Sequence, residues 1–213
     1  MSFWKDKLQP LLYPNRCPFC GTVLPRDEDF CASCAARLPE VTYQRYAAGG
    51  FPCCAPLLYQ GAYAAAIKRY KYGGKGGYTH ALALLTARAV VRSYDVGAID
   101  CITCVPMHQK DRRRFRHAEQ LARECAALTG LPYRDVLEKK RQTPPQHSLK
   151  RADRAKNVRG AYGVLQQEWV RNRRVLLIDD IITTGNTLGE CARMLQKSGC
   201  RTVLCAAVCT TII

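Results

Sequence analysis

Short apolar runs alternate with helix-like patterns along the second half of the chain. The apolar runs are short and rich in β-branched residues, as is typical of buried strands. Between them, apolar residues recur three and four positions apart, as on one face of an α-helix. The predicted strands are Ile99–Val105, Arg174–Ile178 and Thr202–Val208, and the predicted helices are Tyr63–Tyr72, His80–Ser93, Ala118–Leu128 and Leu188–Ser198. Because strands and helices alternate, the sequence predicts a parallel sheet flanked by helices, an α/β fold.

The beginning of the chain differs from this alternation. It carries two Cys-x2-Cys pairs, and the Gly- and Pro-containing stretch Gly49–Pro52 separates them from the alternating strands and helices. We therefore expect a small N-terminal module over residues 1–48 and an α/β domain over residues 49–213.

The two cysteine pairs have the spacing of a structural zinc site. Ten residues separate the pairs, which consist of Cys17, Cys20, Cys31 and Cys34. Two such knuckles place four thiolates in a tetrahedron around Zn2+, and Gly21 suits the tight turn after the first pair. A redox pair is the alternative, although redox Cys-x-x-Cys motifs usually open a helix in a larger domain.

Other cysteines do not predict a metal site. Cys101 and Cys104 have the same spacing, but on a strand they would point to opposite faces of the sheet and could not chelate together. The neighbours Cys53 and Cys54 allow no assignment. Most of the remaining thiols lie in apolar stretches and are expected to be buried.

A small polar turn follows the strand at Arg174–Ile178. It begins with Asp179 and Asp180 and leads into the last predicted helix. The candidate phosphate-binding residues are Thr183, Thr184, Gly185, Asn186 and Thr187. Threonine hydroxyls and backbone N–H groups donate to phosphate oxygens, glycine permits positive φ, and the helix adds its positive end. The two carboxylates suit paired sugar hydroxyls, so the stretch predicts a ribose 5-phosphate site.

A structural turn with a helix cap is the alternative for this stretch, since Asp, Thr and Asn all favour such positions. A cap accounts for one polar residue, whereas this stretch has an Asp pair and a Thr-Thr-Gly-Asn-Thr run. It is not a Walker loop, because it lacks Gly-Lys-Ser/Thr.

Positive charge is concentrated in one third of the chain. The formal net charge is +16, and residues 110–174 hold 18 Lys and Arg against 7 Asp and Glu. Such an excess indicates a polyanionic partner. A solvated basic surface is the alternative, but it does not predict this concentration.

Composition narrows the setting of the protein. No run of about 18 apolar residues occurs, so we expect no membrane insertion. The first residues mix charged and apolar side chains too finely for a signal peptide. Thirteen cysteines in a reducing compartment are not expected to form disulfides. A cytoplasmic location is therefore expected.

The motifs together resemble a known family. Val175–Thr187 resembles the motif of type I phosphoribosyltransferases that binds 5-phosphoribosyl-1-pyrophosphate (PRPP). Further segments narrow the resemblance to the ComF family, which is linked to competence for DNA uptake. These segments are the two cysteine pairs, Ile67–Lys75, Val105–His108, Arg141–Gln146 and Arg154–Tyr162.

The resemblance implies a type I phosphoribosyltransferase-like sheet with an N-terminal zinc ribbon. Asp179 and Asp180 would contact the ribose hydroxyls as the candidate catalytic residues, and Thr183 to Thr187 would cradle the 5-phosphate. Pro106, Met107 and His108 would face the pyrophosphate.

The resemblance also implies a mobile loop that closes over the substrate. This loop would correspond to Lys139–Gly160, with Arg154 as a further substrate-binding residue. Its eight cations face a single acidic residue, Asp153, and Mg2+ is expected with the pyrophosphate. Closure of such a loop would add cationic donors as the C1–O bond breaks.

One turn departs from the family pattern. Relatives usually show Arg-Gly-Phe-Asn-Gln, whereas this chain has Arg113-Arg114-Phe115-Arg116-His117. The changes put any specific role of the turn in doubt, while the added cations favour anion binding.

Two functions are compatible with these expectations. The first is an enzyme that transfers phosphoribosyl from PRPP to an unidentified acceptor and releases pyrophosphate. The second is a non-catalytic adaptor or single-stranded DNA-binding protein that contacts competence-machinery proteins and retains a PRPP site. Aromatic residues near the cations could stack on bases, although most are expected to lie in the core. These aromatics are Phe115, Tyr133, Tyr162 and Trp169.

Overall fold

The computed structural model describes residues 14–73, 76–108, 116–143 and 153–212, with the backbone alone at Gly76, Asp153 and Arg154. The strands are β1 (Tyr43–Ala47), β2 (Phe51–Ala55), β3 (Leu57–Leu58), β4 (Cys101–Cys104), β5 (Leu137–Lys139), β6 (Tyr162–Val164), β7 (Arg174–Ile182) and β8 (Thr202–Thr210). The helices are α1 (Ala32–Ala35), α2 (Gly61–Tyr72), α3 (Thr79–Ser93), α4 (His117–Thr129), α5 (Asp153–Val158), α6 (Gln167–Val170) and α7 (Asn186–Lys197). No helix within the described ranges has the length and apolar character needed to span a bilayer.

The main sheet has the strand order β1-β2-β8-β7-β4, and β3 also pairs with β8. The pairs β2–β8, β3–β8, β8–β7 and β7–β4 are parallel, and β1 is antiparallel to β2. A short second sheet pairs β5 with β6. The prediction of a parallel α/β sheet is confirmed.

The core lies on both faces of the main sheet. Leu176 and Ile178 of β7 pack on one side with apolar residues of α2, α3 and α4. Val175 and Leu177 pack on the other side with apolar residues of α7. All four are fully buried, and burial of such a side chain contributes about 1.5–3 kcal/mol. Strand β7 is thus held between two helical layers, as expected for the strand that carries the candidate site.

The structure differs from the sequence-based expectation at two places. Strand β7 continues through the Asp pair to Ile182, because residues as far as Ile182 pair with β8. Strands β1 and β2 form a hairpin that the sequence does not predict, because Pro52 argues against a strand. Pro52 lies before the part of β2 that pairs with β8, so its missing N–H removes no bond there.

The N-terminal module packs onto the α/β core. Cys17, Phe19 and Leu24 belong to the same buried cluster as α2, α3 and α4. Strand β1 pairs with β2 and thereby extends the main sheet. The division of the chain between residues 48 and 49 stays a prediction.

Candidate functional site

The loop between β7 and α7 forms an anion-binding geometry. Gly185 precedes α7 and has φ +72° and ψ +6°, a left-handed conformation that favours glycine. The first N–H groups of a helix have no acceptor within that helix and carry its positive dipole end. Thr184 adds a buried hydroxyl oxygen with no hydrogen-bond partner among the described residues. A buried polar atom of this kind needs a partner, and a phosphate oxygen would supply one.

The hairpin turn between β1 and β2 closes one side of this loop. The N–H of Ala48 donates to the Gly185 carbonyl at 3.2 Å. A Cβ atom at Gly185 would lie 2.8 Å from the Cα of Ala47, and one at Gly189 would lie 2.1 Å from the carbonyl oxygen of Ala48. The hairpin can approach α7 this closely because both positions are glycine.

Gly189→Ala is expected to lower stability, although alanine in a helix is ordinarily favoured over glycine by about 1 kcal/mol. The Ala48 backbone must move to admit the methyl group, and such overpacking costs about 1–3 kcal/mol. Urea denaturation of the variant measures the loss. Gly77→Ala is the matched control, because a Cβ at Gly77 meets no atom of the described residues within 4 Å. Equal stability of the two variants would contradict the packing argument.

The two adjacent carboxylates point to opposite faces of the sheet. Asp180 lies on the face covered by α2, α3 and α4, and it is buried. Its Oδ1 is 2.7 Å from Lys71 Nζ, and its Oδ2 is 3.2 Å from His117 Nε2. Burial lowers the pKa of Lys71, but the charges of Asp180 and then Asp179 outweigh this effect and raise it. Lys71 is therefore a cation held against the carboxylate.

Asp179 is half-buried on the opposite face. Burial, and then the charge of Asp180, raise the pKa of Asp179 to about 7, although Lys71 opposes the shift. The backbone N–H of Asp180 donates to Asp179 Oδ1 at 2.8 Å. Asp179 alternates along β7 with Val175 and Leu177, which face α7, so its side chain lies on the α7 side. Asp179 can therefore change its charge near neutral pH.

Lys71 and His117 are site residues that the sequence did not single out. Lys71 lies in Ile67–Lys75, and His117 lies in the turn that departs from the family pattern. The sequence does not indicate these two residues individually, because they meet Asp180 only through the packing of α2 and α4 beside β7.

The segment predicted to face pyrophosphate begins beside the Asp pair of β7. Pro106, Met107 and His108 follow β4 and are partly exposed. The N–H of Val105 donates to the Ile178 carbonyl at 3.0 Å, so the end of β4 lies beside the residue that precedes Asp179. A cavity of about 260 Å³ opens beside Pro106 and Met107. Its polar walls include Arg116, Glu119, Glu138 and Lys139. The basic residues that follow β4 in sequence, Lys110, Arg112, Arg113 and Arg114, lie outside the described residues.

The predicted mobile loop is fixed at both of its ends. Lys139 Nζ lies 5.6 Å from the centre of the Tyr162 ring. Its charge opposes the rise that burial and Asp180 cause in the pKa of Asp179. The N–H of Gly160 donates to Glu190 Oε1 of α7 at 2.7 Å. Residues 144–152 lie outside the described residues, and Arg154 is described only by its backbone in α5.

The described aromatic residues near the cations are either buried or in contact with arginine side chains. Tyr162 is buried. The guanidinium of Arg123 lies 4.1 Å from the ring centre of Tyr133, and that of Arg134 lies 4.4 Å from the ring of Trp169. Phe115 lies outside the described residues.

The four cysteines of the N-terminal module converge on one point. Their sulfur atoms all lie within 4.8 Å of one another, and Cys20 Sγ is 3.5 Å from Cys31 Sγ. Gly21 has φ +81°, and its N–H donates to the Cys17 carbonyl at 2.9 Å. Hydrogen bonding to Thr22 lowers the pKa of Cys20 to about 6, whereas burial raises the pKa of Cys34 to about 12, so Cys20 is the thiol of the two that loses its proton more readily. Four converging sulfurs fit the tetrahedral thiolate coordination of Zn2+.

The other cysteine pairs lie in the core. Cys101 and Cys104 belong to buried clusters on opposite faces of the sheet, as expected for a strand. Cys53 and Cys54 of β2 also lie on opposite faces and are buried. None of these pairs can chelate one ion.

Two domain families match this chain. Residues 111–212 match the phosphoribosyl transferase domain. Residues 8–66 match the double zinc ribbon domain. The first match includes the loop between β7 and α7, and the second includes all four converging cysteines.

Curated relatives match most of the chain at low identity. Competence protein F of Haemophilus influenzae is 28% identical over 140 residues, which are 62% of this chain and 61% of that protein. The matched region thus spans less than two thirds of competence protein F. DNA utilization protein YhgH of Escherichia coli strain K12 is 26% identical over 206 residues, 92% of this chain and 84% of that protein. These homologues confirm the resemblance to the ComF family.

Two solved structures are similar to part of this chain. Glutamine phosphoribosylpyrophosphate amidotransferase from B. subtilis, complexed with ADP and GMP, has a TM-score of 0.41 at 23% identity. That similarity covers 60% of this chain and 25% of that one. Phosphoribosylpyrophosphate synthetase from Mycobacterium smegmatis has a TM-score of 0.40 at 18% identity and covers 61% of this chain and 33% of that one. The likeness concerns the fold alone.

Proposed function

We propose that this protein, whose homologues include competence protein F, binds PRPP with Mg2+ at the loop between β7 and α7. The observation that carries the proposal is the buried hydroxyl oxygen of Thr184, which has no described partner, beside the left-handed Gly185 at the start of a helix. Thr183, Asn186 and Thr187 are partly exposed around it. Together these residues would hold the 5-phosphate through hydroxyl and backbone N–H donors.

Within this proposal the carboxylates have separate tasks. Asp179 would accept hydrogen bonds from the ribose hydroxyls, because Lys71 and His117 already contact both oxygens of Asp180. Asp180 would fix the strand end on which Asp179 stands. Pro106, Met107 and His108 would line the pyrophosphate side, and the segment around Arg154 would cover the ligand.

We further propose transfer of the phosphoribosyl group to a nitrogen nucleophile. The nucleophile would form a bond to C1 of the ribose while the C1–O bond to pyrophosphate breaks, and the nucleophile's proton would pass to solvent. Mg2+ would neutralise part of the leaving group's charge, and Asp179 offers the carboxylate oxygens that this cation prefers. Lys139 would add positive charge on the Asp179 side of the sheet.

The affinity for PRPP is expected to rise with pH up to about pH 7 and then to level off. Asp179 has a pKa of about 7, and only its ionised form accepts hydrogen bonds with both oxygens. Below pH 7 the protonated fraction grows, so affinity should fall about tenfold per pH unit. Isothermal titration calorimetry with PRPP and Mg2+ from pH 6 to pH 8 measures the affinity as a function of pH.

Asp179→Asn is the control for this profile. The phosphates of PRPP titrate in the same range, and their contribution is present in both proteins. At pH 8 the variant should bind PRPP about 10- to 150-fold more weakly, the effect of losing hydrogen bonds to a charged acceptor. Its remaining pH dependence should be that of the ligand alone. Unchanged affinity would contradict the placement of the ribose.

Catalysis is tested by pyrophosphate release. Purified protein is incubated with PRPP, Mg2+ and single amines or nucleobases, and pyrophosphate is measured against the Asp179→Asn variant. Release that depends on both the acceptor and Asp179 supports the transferase. PRPP binding without release for any acceptor supports a ligand site without turnover.

A second candidate function is binding of single-stranded DNA by a non-catalytic adaptor of the competence machinery. The positive charge of residues 110–174 and the names of the relatives, competence protein F and DNA utilization protein YhgH, favour it. Phosphate contacts would make DNA affinity fall steeply with salt. PRPP affinity should change far less over the same salt range. We propose a cytoplasmic location for either function, since none of the thirteen cysteines is in a disulfide.

A further inference from the structure

The last turn of α2 connects the four-cysteine module to Asp180. Arg69, Tyr70 and Lys71 follow one another in sequence, and successive side chains of a helix diverge by about 100°. Each side chain therefore reaches a different element. This turn therefore contacts the first cysteine knuckle, the backbone of His117 and the side chain of Asp180.

Arg69 contacts the first cysteine knuckle. Its guanidinium donates to the carbonyl of Pro18 at 2.6 Å and to that of Phe19 at 3.2 Å. Both acceptors are backbone groups between Cys17 and Cys20. Their positions depend on the folded knuckle, and a knuckle of this size depends on its metal for folding.

Phe19 gives the same knuckle a second attachment to α2. Its ring is stacked on Phe30 at 5.5 Å and meets Tyr63 of α2 edge-on at 5.0 Å. The hydroxyl of Tyr63 donates to the Arg37 carbonyl at 2.9 Å. Two separate contacts thus fix the position of α2 relative to the module.

The other two residues of the turn reach the candidate site. Lys71 lies 2.7 Å from Asp180 Oδ1. The hydroxyl of Tyr70 donates at 2.8 Å to the backbone carbonyl of His117, the residue whose ring contacts Asp180 Oδ2. Both contacts to Asp180 therefore depend on where this one turn lies.

We propose that the zinc-bound module positions Asp180 through α2, with Arg69 and Lys71 as positioning residues. When the knuckle is folded around zinc, Arg69 holds the last turn of α2, and Lys71 holds the carboxylate of Asp180. When zinc is lost, Arg69 loses its acceptors, and the turn that carries Lys71 is released. The inference rests on the proposed function, because PRPP is the ligand whose affinity would respond.

Thermodynamic linkage gives this coupling a measurable form. If zinc strengthens PRPP binding, PRPP must strengthen zinc binding by the same factor. Couplings of this kind are about 5- to 150-fold. A module that served only to keep the chain folded would also make zinc binding and PRPP binding reciprocal, so the discriminating quantity is the PRPP affinity of variants that are folded and zinc-loaded.

The test uses variants that keep their zinc. Arg69→Met removes both hydrogen bonds and leaves the four cysteines in place, and Arg69→Lys restores one donor. Arg92→Met is the matched control, because Arg92 of α3 also donates to a backbone carbonyl, that of Glu40 at 2.7 Å. We expect Arg69→Met to bind PRPP at least fivefold more weakly at full zinc content. Arg69→Lys should recover part of the affinity, and Arg92→Met should match the unaltered protein.

Reciprocity is measured by zinc transfer to a chromogenic chelator. PRPP should slow zinc loss from the unaltered protein and should have no such effect on Arg69→Met. Wild-type PRPP affinity in Arg69→Met, or zinc loss that is insensitive to PRPP in the unaltered protein, would overturn the proposal.

A measurement without PRPP separates this proposal from the proposed function. Hydrogen exchange should rise in peptides covering residues 68–72 and 178–182 in zinc-loaded Arg69→Met, but not in Arg92→Met. Unchanged hydrogen exchange in both peptides would contradict the proposal that the module positions Asp180 through α2. If the zinc-loaded unaltered protein binds no PRPP, the proposed function is wrong, and the exchange result still decides whether the module supports Asp180.

Discussion

Asp180→Leu should lower the free energy of unfolding by about 3–5 kcal/mol, the cost of leaving a buried charge without its partner. Lys71 and Asp180 form this pair, with side chains 22% and 5% exposed. Leucine has nearly the shape of aspartate, so the packing changes little and the electrostatic loss dominates. Urea denaturation, monitored by circular dichroism, measures the change.

Adding Lys71→Met to Asp180→Leu should recover most of the lost stability. Replacement of both partners of a buried ion pair by apolar residues of similar volume is often neutral or stabilising. The double variant should nevertheless fail to regain PRPP affinity, because the strand end beside Asp179 has lost its charged support. Stability and ligand affinity would thereby be separated in one folded protein.

An exposed ion pair provides the comparison. Glu168 and Arg171 lie 3.5 Å apart with side chains 87% and 68% exposed. Pairs of this kind contribute at most about 1 kcal/mol, so Glu168→Gln should change the free energy of unfolding by no more than this amount. If Asp180→Leu costs no more than Glu168→Gln, the buried pair does not support the strand end.

Local chemistry is the reason why the sequence indicates a candidate phosphate-binding loop and a cysteine module. The residues from Thr183 to Thr187 are contiguous, and their requirements are met by a turn and the helix start beside it. The four cysteines lie in two short knuckles, whose spacing alone indicates tetrahedral coordination. Sites whose parts are close in sequence can be inferred without knowing the fold.

The support of Asp180 was not predictable in this way. Lys71 and His117 come from α2 and α4, and they meet Asp180 only because both helices cover the same face of β7. Even the opposite directions of Asp179 and Asp180 depended on β7 continuing to Ile182. A strand that ended before the pair would have left both carboxylates in a turn, where they could share one ligand.

The β1–β2 hairpin shows a second limit. Its close contact with α7 requires glycine at two positions, Gly185 and Gly189. In the sequence, Gly185 is explained by its place in the candidate phosphate-binding loop. Gly189 appears there only as a residue of low helix propensity within a predicted helix. Only the position of Ala48 in space reveals why neither can carry a side chain.

Cys17→Ser should remove zinc from the protein and unfold the N-terminal module. Structural zinc sites of this kind have apparent binding free energies of about 10–16 kcal/mol, and a module with so small a core depends on that energy to fold. Cys17 is fully buried and packs in the same core cluster as Phe19 and Leu24. Loss of the module should therefore also expose apolar surface on α2. Zinc content per chain and binding of a hydrophobic dye measure the two effects.

Cys101→Ser is the matched control for this prediction, since Cys101 and Cys104 repeat the Cys-x2-Cys spacing within β4. A buried hydroxyl in place of a thiol should lower stability by about 1–3 kcal/mol, but zinc content should stay that of the unaltered protein. Zinc retained in Cys17→Ser, or lost equally in both variants, would contradict coordination by the N-terminal cysteines. The contrast rests on backbone geometry: a knuckle turns both thiols toward one ion, whereas a strand directs them to opposite faces of the sheet.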